Sequence, residues 1–560
     1  MGEQTKQMFD VIVVGSGASG GWACKRLADA GLKVALLEAG RPQSDESFTE
    51  HKPVFELKYR NRAPEIIRKT RPVQSHLDCS EYNYEWYCND MEEPYTTPAG
   101  KPFHWLGRLR VTGGRTNVWG RVCLRLSDLD LKAATNDGYG EDWPLSYKDL
   151  APYYDLVEEY VGITGMAEGL EELPDGKFHP PMGLTCQEVL FRNRVKEKLG
   201  RTVTLARSAN ITKPLNGRGA CHYCGPCERG CVTHSYFNSA FMTVADALDS
   251  GKCTLISNAM VYKVLMDADG KRTNGVLYID RNTREAREIH SRVVVLCAQA
   301  QESVRILLNS ANRDYPNGLA NSSGVLGHYL MAHVRSGGGS GEFPLFGAKP
   351  SLNGPVRPVG IYVARFRNLK NGPRAKNFLR GYGFEGGTGL DFNWSAPGFG
   401  EAYKKALQES QAGIFLRGYG EVLPRWENCV EINRDVKDHY GIPVLNIHMA
   451  NGPNEGAMIQ DMAESAGEML EAAGAKNIRT FAQPSAPRWA THEAGIARMG
   501  SDPKKSVLNQ FQQTHDISNL FVMDASGFPS NPCQNPTLTI MALCVRSCDY
   551  LMNEMKRGNI

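Results

Sequence analysis

The stretch from Phe9 to Gly40, FDVIVVGSGASGGWACKRLADAGLKVALLEAG, constrains this chain more than any other. Phe9 to Val14 is an apolar, β-branched run that ends in Gly15-Ser16-Gly17-Ala18-Ser19-Gly20. The spacing then turns helical, with Ala23, Leu27 and Ala30 on one side. A second apolar run, Lys33 to Leu37, ends in Glu38, eighteen residues after the last glycine of the motif. Strand, glycine turn, helix and a second strand closed by an acid form the fingerprint of a dinucleotide site. Gly15 permits the tight turn, Gly17 lets backbone amides approach a pyrophosphate, and Gly20 lets the helix pack on the strand. Glu38 can accept from a ribose hydroxyl, and the helix N-terminus offers its positive end to phosphates. Because the chain holds 57 glycines, their spacing alone says little. The flanking strand, helix and acid make the motif specific.

A chain of 560 residues that is 41% hydrophobic can bury a large core and is expected to split into two or more domains. Its 64 basic and 61 acidic residues leave a formal charge of +3, with no long run of either sign, so nothing marks a nucleic-acid partner. No apolar run approaches the roughly 18 residues of a bilayer-spanning helix. The opening MGEQTKQM lacks the apolar core of a signal peptide. The expectation is a chain with no transmembrane segment and no export signal of its own.

The fifteen cysteines are too unevenly placed for a disulfide framework. Four of them, Cys221, Cys224, Cys227 and Cys231, fall within GRGACHYCGPCERGC in a C-x2-C-x2-C-x3-C arrangement. Thiolates at such short gaps on a glycine-rich loop can converge on one centre, which favours an iron-sulfur cluster. A structural zinc site is one alternative, although zinc knuckles are more often separated by a dozen or more residues. Thiols that never meet a metal are the other. Upstream, Tyr82-Asn83-Tyr84-Glu85-Trp86-Tyr87 concentrates aromatic rings, read here as packing under a long excursion. Between Cys253 and Val295, short β-branched runs suit strands returning to the dinucleotide sheet. From Ser336 to about Ala482 the runs alternate and carry glycine and aromatics, as in IYVARFR and DFNW, which predicts an antiparallel sheet with an amphipathic helix around Glu455 to Ala473. Gly337-Gly338-Gly339 has no strand leading in and no helix following, so it is not a second nucleotide loop. Asn535, followed by Pro536 and a helical run from Thr537 through Cys548, has the form of a helix N-cap.

From Gly107 to Gly120, GRLRVTGGRTNVWG, the chain begins to resemble the glucose-methanol-choline (GMC) family of FAD-dependent oxidoreductases. The likeness runs through DWPLSY at Asp142, NSSGVLGHYLMAH at Asn321 and the closing THEAGIARMGSDPKKSVLN, NLFVMDASGFPS and NPCQNPTLTIMALCVRSCDYL. It covers nearly the whole chain. The fold it implies is an α/β one: a Rossmann-like FAD-binding domain, related to that of p-hydroxybenzoate hydroxylase, with an antiparallel-sheet substrate domain. The expected FAD domain is discontinuous, over 1–50, 105–165, 240–335 and 485–560. The expected substrate domain takes 51–104 and 336–484, and 207–239 is the cysteine-rich loop. The resemblance places Gly113, Gly114, Thr116 and Asn117 in a second flavin-contacting loop, Val261 at the adenine, and Asp524 near the ribityl and pyrophosphate. It implies His492 as the catalytic histidine and Asn535 as the second active-site position, with Pro536 and Thr537 opening a helix toward the flavin. Gln299 stands where a glycine is common in the family.

One branch, with glucose, fructose and gluconate dehydrogenases and glucoside 3-dehydrogenases, carries a cluster in the catalytic subunit. Its three-iron form uses a C-x5-C-x3-C spacing, which falls on Cys221, Cys227 and Cys231 and leaves Cys224 as a spare thiol or a fourth ligand. Val232 replaces the proline that follows the last cysteine in bacterial ferredoxins. With one dinucleotide fingerprint there is no seat for NAD beside FAD, so electrons must leave to oxygen, a soluble acceptor or another redox centre. The resemblance therefore implies an FAD-dependent sugar dehydrogenase, closest to glucoside 3-dehydrogenases, that oxidises a secondary hydroxyl at C3 and discharges through an iron-sulfur cluster, 3Fe-4S before 4Fe-4S, to a c-type cytochrome. Alternatives are an oxygen-using pyranose or alcohol oxidase, a dehydrogenase acting at another carbon, and a non-catalytic flavin-retaining subunit. A small accessory subunit with its own signal would carry the chain to the periplasm; otherwise it is cytoplasmic.

Pyranose oxidases bind flavin covalently through a histidine just before a tryptophan in the glycine-pair loop, and here the residue before Trp119 is Val118. Valine cannot form that bond. FAD is expected to be non-covalent, so denaturation and ultrafiltration should release all the yellow colour; flavin retained with the polypeptide would contradict this.

Overall fold

The dinucleotide fingerprint forms the centre of a seven-stranded sheet. The computed structural model describes residues 8–62, 64–343, 356–372, 374–375, 377–390, 397–408, 412–483 and 491–560. Met8–Val14 is a strand, Ala18–Asp29 a helix and Val34–Leu37 the next strand. Parallel pairing runs from Cys253–Ile256 through Val34–Leu37 and Met8–Val14 to Ala286–Leu296. The last of these strands changes neighbour along its length. Its first half pairs antiparallel with Thr273–Asp280, which in turn pairs with Ala259–Met266, and its end pairs parallel with Leu520–Val522. Val11, Ile12, Val13 and Val293 to Leu296 have no exposed surface, as befits a parallel layer covered on both faces. The helix Ala18–Asp29 packs against the C-terminal helix Thr537–Arg557, which brings the two ends of the chain together.

A second sheet is antiparallel throughout, in the order Lys476–Ala482, Gly337–Phe343, Ala412–Glu421, Tyr382–Leu390, Ile361–Val363, Val203–Leu205. The short strand His333–Val334 pairs the far end of Ala412–Glu421, with His333 opposite Glu421. The helix Pro453–Ala473 lies on this sheet, as its periodicity predicts. The triple glycine opens the strand Gly337–Phe343, and the reason is contact: a Cβ on Gly337 would stand 2.6 Å from the Ile459 carbonyl oxygen of that helix. IYVARFR supplies the strand Ile361–Val363, whereas DFNW lies outside the described residues. The aromatic run at Tyr82 to Tyr87 packs as expected: Trp86 and Tyr87 are buried with Leu109 and Val111, against Phe48 and Tyr84.

A network of buried charges ties the segment 93–110 to the parallel sheet. Glu93 meets Arg110 at 2.6 Å and Arg281 at 3.1 Å, and Glu302, on the helix Ala300–Asn309, meets Arg110 at 2.6 Å and both Arg108 and Arg305 at 3.5 Å. Arg305 continues to Asp438 at 2.7 Å. Burial alone would raise the Glu302 carboxyl pKa, but Arg110, Arg305 and Arg108 outweigh it and pull it down to about 2.

A folded-state pKa below the unfolded value of about 4.3 means that this stabilisation is present above that pH and is lost as the pH falls toward 2. It is worth on the order of 3 kcal/mol by linkage. Glu302→Gln should therefore unfold at lower urea than the parent at pH 7, with the gap narrowing between pH 4.5 and 2.5. A gap that stays constant would mean the pair carries no linked proton.

Candidate active site

The cleft lies at the C-terminal ends of the strands Met8–Val14, Val34–Leu37 and Ala286–Leu296 and is lined by most of the predicted cofactor residues. It holds about 1300 Å³ of empty space, counting its open mouth, and is lined by the turn Gly15 to Ser19, Glu38, Gly114 to Thr116, Val261, Asp524, Pro536 and Thr537, with His492 at one side. Gly15 adopts φ +96°, and a Cβ there would lie 2.5 Å from the Cys297 carbonyl oxygen. A Cβ on Gly20 would collide with the Gly15 carbonyl oxygen, so the first helix can sit on its strand only with glycine at that place. Gly17, the N-cap, differs: a Cβ at this position would have no protein atom within 4 Å, and no side chain caps the helix, whose first amides face the cleft. An anion fits there.

Glu38 accepts from the Ser16 amide at 3.1 Å, the Ser16 hydroxyl at 2.5 Å and the Gly40 amide at 2.7 Å. The Ser16 Oγ in turn accepts from the Gly113 amide at 2.9 Å, joining the fingerprint to the glycine-pair loop. Thr116 and Asn117 also anchor the segment after the cysteine loop. Thr116 Oγ1 accepts from the Ser239 amide at 3.0 Å, Asn117 Oδ1 accepts from Asn238 Nδ2 at 2.9 Å, and the Asn117 carbonyl accepts from the Tyr236 hydroxyl at 2.8 Å. Asp524 is buried and held by the Ser303 hydroxyl at 2.5 Å and by Ser526 through its amide at 2.9 Å and hydroxyl at 2.6 Å. Burial raises its carboxyl pKa.

Next to this cleft stand His492 and Asn535, in a polar network whose other members the sequence does not single out. His333, buried at the start of its short strand, places Nδ1 2.9 Å from His492 Nδ1 and Nε2 2.6 Å from the Pro532 carbonyl oxygen, with the two rings nearly perpendicular. Burial pushes the His333 pKa down to about 4. His492 is likewise pushed well below the ordinary imidazole value, first by burial and then by His333, Arg335 and Arg115. Asn535 Nδ2 donates to Glu385 Oε1 at 2.9 Å, while its Oδ1 is buried without a hydrogen-bond partner. Tyr419 also hydrogen-bonds Glu385 and lies beside both His492 and His333. Arg335 lies over the Tyr419 ring at 4.6 Å. Burial raises the Glu385 carboxyl pKa, against the pull of Arg335, Asn535 and Tyr419.

The structure corrects one expectation. Asn535 does not cap the C-terminal helix: Pro536 occupies the cap position in αR geometry with no side-chain cap, and the Asn535 amide is turned to Glu385 instead. The half-buried carboxylate of Glu385 outcompetes a local cap for this amide.

The backbone around His492 is fixed by Arg115. Its Nη1 donates to the Thr491 carbonyl and to Glu493 Oε2, both at 2.7 Å, its Nη2 reaches Glu493 Oε1 at 3.2 Å, and its remaining donors go to the Leu106 and Gly107 carbonyls. Asn531 Nδ2 donates to the His492 carbonyl at 3.0 Å. Arg115, His333 and Glu385 carry weak sequence signals. Arg115 is visible beside the glycine pair, His333 closes the motif NSSGVLGHYLMAH, and Glu385 lies in a glycine-rich strand with nothing to mark it.

The four-cysteine loop packs on the excursion at 45–83. The Thr49 amide donates to the Arg229 carbonyl at 2.8 Å, the Val232 amide to Glu50 at 2.6 Å, and Asn83 Nδ2 to the Glu228 carbonyl at 2.8 Å. Cys227 is buried, Cys221 and Cys231 are half-buried, and Cys224 is exposed. The thiols feel one another: burial first, then Cys227, Cys231 and Cys221, push the Cys224 pKa up to about 11. Among the described residues, however, the group of three or more donors lying within 4.8 Å of one another is His51, His222 and Cys224. Four thiolates on a single tetrahedral ion would need sulfurs about 3.8 Å apart, and the loop does not draw them that close.

A family model described as GMC oxidoreductase matches residues 9–335, and a second with the same description matches 424–544. The chain belongs to the GMC oxidoreductase family. It is accordingly an FAD-dependent oxidoreductase of the sugar and alcohol dehydrogenase type, acting on CH–OH groups. It is 29% identical to 2-methyl-1,2-propanediol dehydrogenase from Mycolicibacterium austroafricanum over 97% of this chain and 95% of the relative. It is 25% identical to the fructose dehydrogenase large subunit of Gluconobacter japonicus over 98% of both. Pyridoxine 4-oxidase from Mesorbium loti shares the fold, with a TM-score of 0.61 at 16% identity over 97% of this chain and 99% of that one. The open cradle at Gly17, the uncapped helix and Glu38 fit the FAD that the family requires. No helix among the described residues is long and apolar enough to cross a membrane.

Since a Cβ at Gly17 would have no protein atom within 4 Å, Gly17→Ala should still fold as apoprotein, with only the small loss in thermal stability expected of a changed N-cap, yet fail to retain FAD. Loss of folding in the apo variant would contradict the assignment of that space to the cofactor.

Proposed function

We propose that this protein is the catalytic subunit of a sugar dehydrogenase that oxidises a secondary hydroxyl of a glucoside or related sugar, at C3, to the keto sugar. The observation that carries the reading is that His492, which lines the FAD cleft, stands beside Tyr419, and that Tyr419, Arg335 and Asn535 gather in turn around Glu385. Such a group of polar side chains suits a polyol, which must exchange several hydrogen bonds with water for protein partners of matching polarity. FAD, when bound, supplies the acceptor for the two electrons of the carbinol C–H. His492 takes the hydroxyl proton. Its depressed pKa keeps it a neutral acceptor at physiological pH. Asn535, oriented by Glu385, offers its unpartnered Oδ1 to a neighbouring hydroxyl of the sugar, the reacting hydroxyl's proton being taken by His492, and so helps hold the reacting carbon in place.

The thiols of Cys221, Cys227 and Cys231 would hold an iron-sulfur cluster of the 3Fe-4S type, with Cys224 at the exposed rim. Such a cluster, when present, supplies a one-electron relay. The loop suits that role because Tyr236, Asn238 and Ser239, just beyond Cys231, hydrogen-bond the glycine-pair loop of the cofactor cleft. The fructose dehydrogenase large subunit, by its name one part of an assembly, supports a small accessory subunit here, and with it a c-type cytochrome acceptor and a periplasmic location reached through the partner's signal.

Anaerobic stopped-flow with a panel of sugars and glycosides, with products identified by NMR, tests the substrate. His492→Ala should reduce its flavin about 10²- to 10⁴-fold more slowly with FAD still bound, and parental reduction at saturating sugar would end its role as base. In the parent the rate should stay flat with falling pH until well below 6.5, because the ring resists protonation. Isolated protein should contain iron and sulfide. Cys221→Ser, Cys227→Ser and Cys231→Ser should lose both and slow cytochrome reduction while flavin reduction stays intact. Stoichiometric zinc would overturn the relay, and rapid peroxide formation would favour an oxidase.

A further inference from the structure

We propose that His333 is a positioning residue that fixes the tautomer of His492 and thereby leaves the His492 Nε2 lone pair as the proton acceptor. This rests on the reading of His492 as the base. The constraint originates at Pro532. Its carbonyl oxygen can only accept, and His333 Nε2 lies 2.6 Å from it, so the His333 Nε2 carries the proton. Neutral imidazole has one N–H, and burial keeps His333 neutral, so its Nδ1 is a lone pair. That lone pair lies 2.9 Å from His492 Nδ1. Two lone pairs cannot face each other at this distance, and the bond requires His492 Nδ1 to be the donor. The remaining ring nitrogen of His492, Nε2, is therefore unprotonated.

The chain Nδ1–H of His492 to Nδ1 of His333, and Nε2–H of His333 to the Pro532 carbonyl, reads in one direction only. When the substrate O–H bond breaks and the Nε2–H bond forms, His492 becomes an imidazolium whose Nδ1–H still donates to His333, so the ring does not reorient during the transfer. Pro532 lies three residues before Asn535, and Asn531 holds the His492 carbonyl. The same turn thus anchors the histidine relay and presents the second active-site residue. His333 itself comes from a strand that pairs the antiparallel sheet, with Glu421 opposite. The base, carried by the C-terminal segment, is oriented by a residue of that sheet.

The test is a pair of substitutions at 333, read by anaerobic flavin reduction alongside His492→Ala. Asn can accept from His492 Nδ1 through Oδ1, which stands where His333 Nδ1 stands; Leu, of similar size, cannot. His333→Leu should slow flavin reduction at saturating substrate by roughly 10- to 100-fold, the range seen when metal-bound histidines lose the outer partner that fixes their tautomer, with KM and FAD content near parental. His333→Asn should recover most of that rate at the same thermal stability. Equal impairment of Asn and Leu would mean that His333 only fills space, and a parental rate in the Leu variant would mean that it orients nothing; either result overturns the proposal. If His492→Ala itself reduces flavin at the parental rate, the base assignment fails instead, and the two failures are distinguishable in one series.

Discussion

Arg115 is the tie on which the active site depends. It sits beside the glycine pair, near the front of the cofactor-binding half, and its guanidinium spans to Thr491 and Glu493 on either side of His492. Glu493 is buried, and its charge is met by this bidentate pair together with Gln299 at 3.2 Å. A buried carboxylate without its partner costs several kcal/mol, so the segment carrying the histidine has little freedom to move away from the loop that faces the cofactor. Gln299, which departs from the glycine common at that position, is drawn into this arrangement. It adopts φ +80°, the left-handed region that glycine would occupy without strain, and its side chain reaches Glu493.

The two halves of the molecule divide the chemistry in a way that follows from their packing. The parallel sheet, buried on both faces, holds backbone amides and glycines rigidly where a dinucleotide needs close approach. The antiparallel sheet supplies side chains: His333, Glu385 and Tyr419 all lie on its strands, and Arg335 follows His333–Val334 directly. His492 and Asn535 come from the C-terminal segment between them. His333, His492 and Asn535 are each hydrogen-bonded by a group from another part of the chain, which lowers the cost of burying a polar network. Among the described residues of this region, Asn535 Oδ1, Asn531 Oδ1 and Arg335 Nε are buried without a hydrogen-bond partner.

The cysteine loop relates to this centre through protein contacts. Tyr236, Asn238 and Ser239 connect it to Asn117, Thr116 and the carbonyls of Ser16 and Gly17. On its other side the loop rests on Phe48, Thr49, Glu50 and the aromatic excursion, with the Arg229 guanidinium 3.7 Å over the Tyr82 ring. The long polar stretch that interrupts the α/β rhythm after Gly40 thus forms part of the bed for the four thiols.

What the sequence by itself determined is local. The fingerprint from Phe9 to Glu38, the β-branched strands after Cys253, the helix over Glu455 to Ala473 and the run beyond Thr537 follow from periodicity and from glycines whose backbone conformation or close contacts admit no other residue. The turn Gly15 to Gly20 belongs to this group because its residues are neighbours in the chain. Tertiary structure decided the rest. Asn535 reads locally as a helix cap, and only the arrival of Glu385, 150 residues earlier, turns its amide elsewhere. His333 closes the motif NSSGVLGHYLMAH in sequence, and its meeting with His492 across 159 residues is invisible until the chain is folded. Hydrogen-bond partners of a buried side chain are set by which groups burial brings together, and burial is a property of the whole packed chain.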